Sequence, residues 1–264
     1  MNQTLLSPLK QIPAGIHTAR DYELLARRFI AAPTLAYLAG GSGDDVTRDA
    51  NKAAFAGWCL APRLLTDVGS GHTRLRLAGR ERPHPILLAP VAFQHLAHAQ
   101  GELGCARAAE VQDSVLVAST LASCTLEDIA AAAGGEKWFQ LYFQARRDDT
   151  LDLVRRAERA GYTALVVTLD ASIQAPSFSA LRAGFSMPEA IVAANLASYP
   201  GIPPTTPAQG ASRIFQGLMR HAPTWADLDW LLGQTGLPVW VKGVLHVGDA
   251  ESLRSRGIAG QIVS

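Results

Sequence analysis

What most constrains this chain is a repeated pairing: a short apolar run, a polar turn, then a stretch rich in Ala, Glu and Arg. The runs are Pro85-Ile86-Leu87-Leu88-Ala89, Ser114-Val115-Leu116-Val117-Ala118-Ser119, Trp138-Phe139-Gln140-Leu141-Tyr142, Ala164-Leu165-Val166-Val167-Thr168-Leu169, Pro238-Val239-Trp240-Val241-Lys242 and Gly260-Gln261-Ile262-Val263-Ser264. Short apolar runs without polar alternation read as strands buried on both faces. Four of the five intervals between their starts are about 22–29 residues, the length of a βαβ repeat, and the fifth is about 74. The intervening stretches predict helices over 101–112, over 125–133 behind a Thr125 cap, over 150–160 between a Thr150 cap and Gly161, and over 248–256 before Gly257.

Successive βα units imply an α/β fold: a parallel sheet covered by helices, either doubly wound or closed as a (β/α)8 TIM barrel. Two features favour the barrel. No run is followed by the G-x-G-x-x-G turn of a dinucleotide-binding sheet. Polar residues also end several different runs (Ser119, Gln140 with Tyr142, Thr168 with Asp170, Lys242), which is where barrels carry their chemistry. Six runs against eight predict an incomplete barrel, about six of eight βα units, with unpaired edges if the chain truly stops at Ser264.

The expected organisation is an N-terminal helical segment, 1–84, packing on a partial barrel, 85–264, with a long loop, 170–223, after the fourth strand. Apolar spacing predicts one helix over 22–39, stopped by Gly40-Gly41-Ser42-Gly43. In the long loop, 177–183 and 188–196 read as short helices and the Pro- and Thr-dense 199–210 as an irregular loop or lid over the barrel mouth.

Composition narrows the partners. With 24 Lys+Arg against 23 Asp+Glu, the chain lacks the basic footprint of a nucleic-acid binder. No apolar run approaches the roughly 20 residues of a membrane span and the start does not read as a signal peptide, so the expected compartment is cytoplasmic. Cys59, Cys105 and Cys124 are far apart and outside any C-x-x-C, so reduced thiols are expected. His95 and His98, with Glu102 four residues beyond His98, read as helix-start residues rather than ligands, and no metal is expected.

Four stretches then carry a resemblance: Leu88-Ala89-Pro90-Val91-Ala92-Phe93-Gln94 followed by Ala97-His98-Ala99-Gln100-Gly101-Glu102; Trp138-Phe139-Gln140-Leu141-Tyr142; Arg155-Arg156-Ala157-Glu158-Arg159-Ala160-Gly161-Tyr162; and Thr224-Trp225-Ala226-Asp227-Leu228-Asp229-Trp230-Leu231 leading to Leu237-Pro238-Val239-Trp240-Val241-Lys242-Gly243-Val244. In this order the chain resembles the FMN-dependent α-hydroxy acid oxidase/dehydrogenase family, which includes glycolate oxidase, lactate oxidase and mandelate dehydrogenase. The resemblance implies FMN as cofactor and oxidation of a small L-2-hydroxy acid to a 2-oxo acid. Oxygen, a quinone or a cytochrome would be the electron acceptor, and the assembly a homo-oligomer, by family a tetramer. It places Pro90, Val91 and Ala92 against the flavin ring, Ser119, Gln140 and Thr168 on its polar edge, Lys242 beside flavin N1, and Tyr142 and Tyr37 at the substrate.

The sequence also departs from that pattern. Ser177 stands near the position of the family's carboxylate-clamping arginine, with Arg182 five residues on, and Leu121 stands where several relatives carry an aromatic. The family's Asn-His-Gly-Gly-Arg motif, with its catalytic histidine, would follow just after Ser264, as would strands seven and eight and the flavin-phosphate loops. The expectation is therefore a C-terminally truncated relative, inactive on its own, whose alternative role is that of a non-catalytic remnant or interaction protein.

Overall fold

The computed structural model describes residues 5–172, 176–200 and 209–264. The chain divides into two compact units, Met1–Gly69 with Gln174–Glu189, and Ser70–Ile173 with Ala190–Ser264.

The first unit is helical. α1 (Ala19–Ala26) starts at a capping box in which the Asp21 carboxylate accepts from the N–H groups of His17 and Thr18, at 2.9 and 2.7 Å. α2 (Ala32–Ala39) and α3 (Val46–Ala54) follow. The single helix expected over 22–39 is thus two. Pro33 has no N–H to donate, so it fits the first turn of a new helix and would break the interior of a longer one. α7 (Phe178–Arg182) packs against α2 and is capped by Ser177, whose Oγ accepts from the Ala180 N–H at 3.3 Å.

The second unit opens with a hairpin, β1 (Leu75–Leu77) and β2 (Arg80–Arg82), inside the segment expected to be mainly helical. Ala78 and Gly79 both take positive φ, 50° and 79°, the two-residue turn whose twist suits a hairpin. Then come α4 (Gly101–Val111), β3 (Leu116–Ser119), α5 (Leu126–Ala132), β4 (Lys137–Leu141), α6 (Arg147–Arg159), β5 (Ala164–Thr168), α8 (Trp225–Leu232), β6 (Val239–Val244), α9 (Val247–Ser255) and β7 (Gly260–Val263). The five strands β3–β7 are parallel and lie side by side in chain order, as repeated βα units require. The 85–89 run joins them only through a bridge at Leu88, so the expected six strands are five plus that bridge. Pro85 and Pro90 cannot donate to a ladder, and Leu88 supplies the bonds, to Val115 and from Val117, at 2.9 and 3.0 Å.

Successive strand residues point to opposite faces. One face carries Leu116, Ala118, Phe139, Leu141, Leu165 and Val167 into a core shared with Leu126, Ile129, Leu153 and Val154 of the helices. Each of those large side chains contributes about 1.5–3 kcal/mol by leaving water. The other face packs Val117, Trp138, Val166, Trp240 and Ile262 together. At the N-terminal end of the sheet, Glu136 is clamped by Arg82, Arg80 and the Trp138 indole, which donates at 2.9 Å. Burial alone would raise its pKa, but those bonds hold the carboxyl below its ordinary value.

Local endings also differ from expectation. α6 begins at Arg147, so Thr150 lies inside its first turn and uses its hydroxyl to accept from the Gln144 N–H at 2.9 Å. Of the expected 188–196 helix only a 3₁₀ turn, Ala194–Leu196, forms. It is tied to α5 and α6 by Arg156, which binds Glu127 with two bonds, at 2.8 and 2.9 Å, and the Asn195 carbonyl at 3.0 Å. Most of the expected 199–210 loop lies outside the described residues.

Candidate active site

The inner sheet face turns polar within one residue pair of its C-terminal edge. Two positions beyond Val117, Trp138, Val166 and Trp240, the same face carries Ser119, Gln140, Thr168 and Lys242. The row is held by its own hydrogen bonds. The Gln140 side-chain oxygen accepts from Ser119 Oγ and from the Thr120 N–H, each at 3.2 Å, and its nitrogen donates to Thr168 Oγ1 at 3.1 Å. Ser119 Oγ also accepts from the Leu121 N–H at 3.1 Å. Ser119, Gln140 and Thr168 are all buried, and a buried polar group costs about 1–3 kcal/mol when unpaired, so this network fixes their orientation.

Lys242 closes the row. Its ammonium donates to Ser264 Oγ at 2.8 Å and stands 3.7 Å from Asp170 Oδ2. The β6–β7 register slips at the next residue, Gly243, where φ is +102°. A Cβ on Gly243 would lie 2.6 Å from Asp170 Cβ and 2.9 Å from its backbone nitrogen, so glycine is what lets Asp170 sit against β6.

Tyr142 follows Gln140 on the same face and is half-buried, its N–H donating to Thr120 Oγ1 at 3.1 Å. Burial, aided by the Asp170 charge, pushes its phenol above the ordinary value, so it stays a hydrogen-bond donor through neutral pH. Asp170, one of the polar run ends but without a role in the family resemblance, is therefore a member of this group. The same two-residue period that picks out Thr168 points to it. Pro90, Val91 and Ala92 form the turn after the Leu88 bridge, beside the end of β3. Phe93 pins it in a left-handed conformation, φ 51°, with its N–H bound to the Leu121 carbonyl at 3.0 Å.

The structure thus brings Ser119, Gln140, Tyr142, Thr168 and Lys242 to one sheet edge. Tyr37 belongs to the first unit, on α2, where its ring stacks on Phe185 with centroids 4.4 Å apart. Gly40, Gly41 and Ser177 line a cavity of about 500 Å³ with Tyr37 and Phe185. Beside it Asp45 accepts from Ser179 Oγ at 2.6 Å and from the Gly41 N–H; these bonds hold its carboxyl below the usual range. Ser177 offers a hydroxyl already engaged as a helix cap. Among the described residues no helix is long and apolar enough to cross a membrane.

Comparison with known proteins gives this edge a context. Residues 26–264 match the FMN-dependent dehydrogenase family. The chain is 61% identical over 259 residues to an L-lactate oxidase of Alicycliphilus denitrificans, covering 98% of this chain and 71% of that protein. It is 39% identical to a 4-hydroxymandelate oxidase of Amycolatopsis orientalis (92% and 68% covered) and 32% identical to glycolate oxidase 3 of Arabidopsis thaliana (94% and 68%). A mandelate oxidase solved with benzoyl-formic acid superposes with a TM-score of 0.80 at 37% identity, over 93% of this chain and 67% of that one. A variant mandelate oxidase holding an FMN adduct gives 0.79 at 36%, over 92% and 67%. The chain thus spans roughly two thirds of the length of several of these relatives.

Proposed function

Because the chain belongs to the FMN-dependent dehydrogenase family, we propose that its strand-end row holds the flavin ring of FMN and serves the oxidation of a small L-2-hydroxy acid to the 2-oxo acid. The observation that carries this reading is the row itself: hydroxyl, carboxamide, hydroxyl and ammonium on four adjacent strand ends, above a floor of Val117, Trp138, Val166 and Trp240. That donor and acceptor set matches the polar edge of an isoalloxazine, and the apolar floor excludes water from beneath it.

FMN, when bound, supplies the two-electron acceptor that takes the α-hydrogen and electrons of the substrate. The chain's own residues then have distinct tasks. The Lys242 ammonium, held by Ser264 and Asp170, places fixed positive charge where the reduced ring carries negative charge. Gln140, locked between Ser119 and Thr168, orients the ring. Pro90, Val91 and Ala92 present backbone to its face. Tyr142, kept protonated by burial and Asp170, donates to the carboxylate or hydroxyl of the substrate. Leu121, smaller than the aromatic that several relatives carry there, shapes the acid's binding site. Oxygen, a quinone or a cytochrome would be the final electron acceptor.

The test is anaerobic addition of L-lactate, L-mandelate or glycolate to the FMN-loaded protein. Bleaching of the flavin absorbance band, with recovery on admission of air, supports the reading. A folded, FMN-loaded protein whose band no 2-hydroxy acid bleaches overturns catalysis and leaves a non-catalytic interaction protein.

A further inference from the structure

Three segments of the second unit meet beside the strand-end row: the stretch after the Pro90 turn, the first turn of α4 and the loop after β3. They bring His95, Glu102 and Cys124 together, with one ligand atom of each within 4.8 Å of the others. We propose that these three side chains form a binding site for a divalent transition-metal ion, zinc or an ion of similar softness.

Glu102 is the strongest sign. It is 1% exposed; Oε1 accepts from the backbone N–H groups of Gln94 and Ser123, at 3.2 and 2.9 Å, and the carboxylate lies against the Cys124 thiol. Oε2 is buried and has no hydrogen-bond partner among the described residues. A carboxylate oxygen withdrawn from water and left without a protein partner is costly, and native folds satisfy such a group with an ion, a ligand or an ordered water, or hold it as strain. The Cys124 thiol and a His95 ring nitrogen stand within 4.8 Å of one of the carboxylate's oxygens.

The spacing fits a tetrahedral ion. Zn–N of ~2.05 Å and Zn–S of ~2.3 Å at a tetrahedral angle put nitrogen and sulfur ~3.6 Å apart. His95 Nε2 and Cys124 Sγ are 3.5 Å apart. The ring is also built into place. Gly101 has φ +43°, and a Cβ there would lie 2.6 Å from His95 Cδ2, so glycine alone clears room for the imidazole. The His95 N–H is held by Ser123 Oγ at 3.2 Å. A neutral imidazole, a thiolate and a carboxylate would balance a divalent charge, which is what a buried ion needs, and the sulfur and nitrogen donors select zinc over calcium or magnesium. Three protein ligands leave a fourth position on the half-exposed His95 side. His98, which sequence spacing pairs with Glu102, takes no part: its Nδ1 accepts from the Gln100 N–H at 3.1 Å on the surface. Bound there, the ion ties the Pro90–Ala92 turn to the loop after β3.

The experiment titrates chelator-treated full chain with cobalt(II). The expected result is one cobalt per chain with a thiolate-to-cobalt charge-transfer band that zinc abolishes by displacement. Cys124→Ser should remove the band, and His95→Ala, which takes away a ligand itself, should weaken binding by more than the ~10–100-fold that losing an outer-shell partner costs. Cys59→Ser, Cys105→Ser and His98→Ala should leave both unchanged. A band that survives Cys124→Ser, or one that Cys59→Ser removes, means an adventitious ion only and overturns the site. Should Cys124→Ser fail to fold, X-ray absorption at the cobalt edge of the wild-type chain decides: one sulfur neighbour supports the site and none refutes it.

Discussion

Replacing Gly243 by alanine probes the strand-end geometry where it is tightest. The new Cβ would stand 2.6 Å from Asp170 Cβ, 2.7 Å from its Cγ and 2.9 Å from its backbone nitrogen, against the ~3.5–4.0 Å of ordinary carbon contacts. The backbone there is also at φ +102°, which an L side chain resists at a cost of about 1–2 kcal/mol. Overpacking against a neighbour that includes backbone adds about 1–3 kcal/mol. Gly243→Ala should therefore destabilise by about 2–5 kcal/mol, a large share of the ~5–15 kcal/mol that holds a domain together. Gly161 separates the two contributions: its φ is +81°, but a Cβ there meets nothing within 4 Å, so Gly161→Ala should cost only about 1–2 kcal/mol. Urea unfolding of both variants beside the parent measures the difference. If Gly243→Ala costs no more than Gly161→Ala, Asp170 is not held against β6 as described.

Other consequences are open to direct measurement. Gln140→Leu keeps volume but strips partners from Ser119 Oγ, the Thr120 N–H and Thr168 Oγ1; it should cost about 2–4 kcal/mol in urea and weaken FMN binding. Tyr142→Phe should leave urea stability nearly unchanged and lower kcat/KM about 10–100-fold, since only a donor to a charged substrate is lost. Glu136 titrates below its unfolded value, so its stabilisation is complete above the unfolded carboxyl pKa of about 4.3 and is lost as pH falls through the folded value. Glu136→Gln should cost about 3–5 kcal/mol at neutral pH by leaving Arg82 unpaired, and should flatten the acid limb of the stability profile. A variant with the parent's acid limb would assign that limb to other groups.

Part of this fold and site is legible in the sequence and part is not. The runs that became β3–β7 were legible because strands buried on both faces need unbroken apolar residues, and their polar ends stood out for the same reason. The hairpin was not: Arg76, Arg80, Glu81 and Arg82 mask the strand signal, and only the Ala78-Gly79 turn hints at it. The 85–89 run carried a strand's composition, yet its flanking prolines leave it one bridge. Pro33 marked a new helix start that apolar spacing alone could not show. Within the site, Thr168 and Asp170 obey one period, whereas the meeting of Cys124 with His95 depends on how the loop after β3 folds back on α4. No spacing rule links residues so far apart in the chain.

Whether the strand-end row binds the isoalloxazine ring is decided by FMN titration of the purified chain. The prediction is quenching of flavin fluorescence with a shift in the visible absorbance band. Riboflavin should compete for the same site, and Gln140→Leu combined with Lys242→Met should lose both signals while keeping the parent's circular dichroism. A folded chain that leaves the FMN spectrum that of free flavin, or a double variant that binds as the parent does, would contradict it.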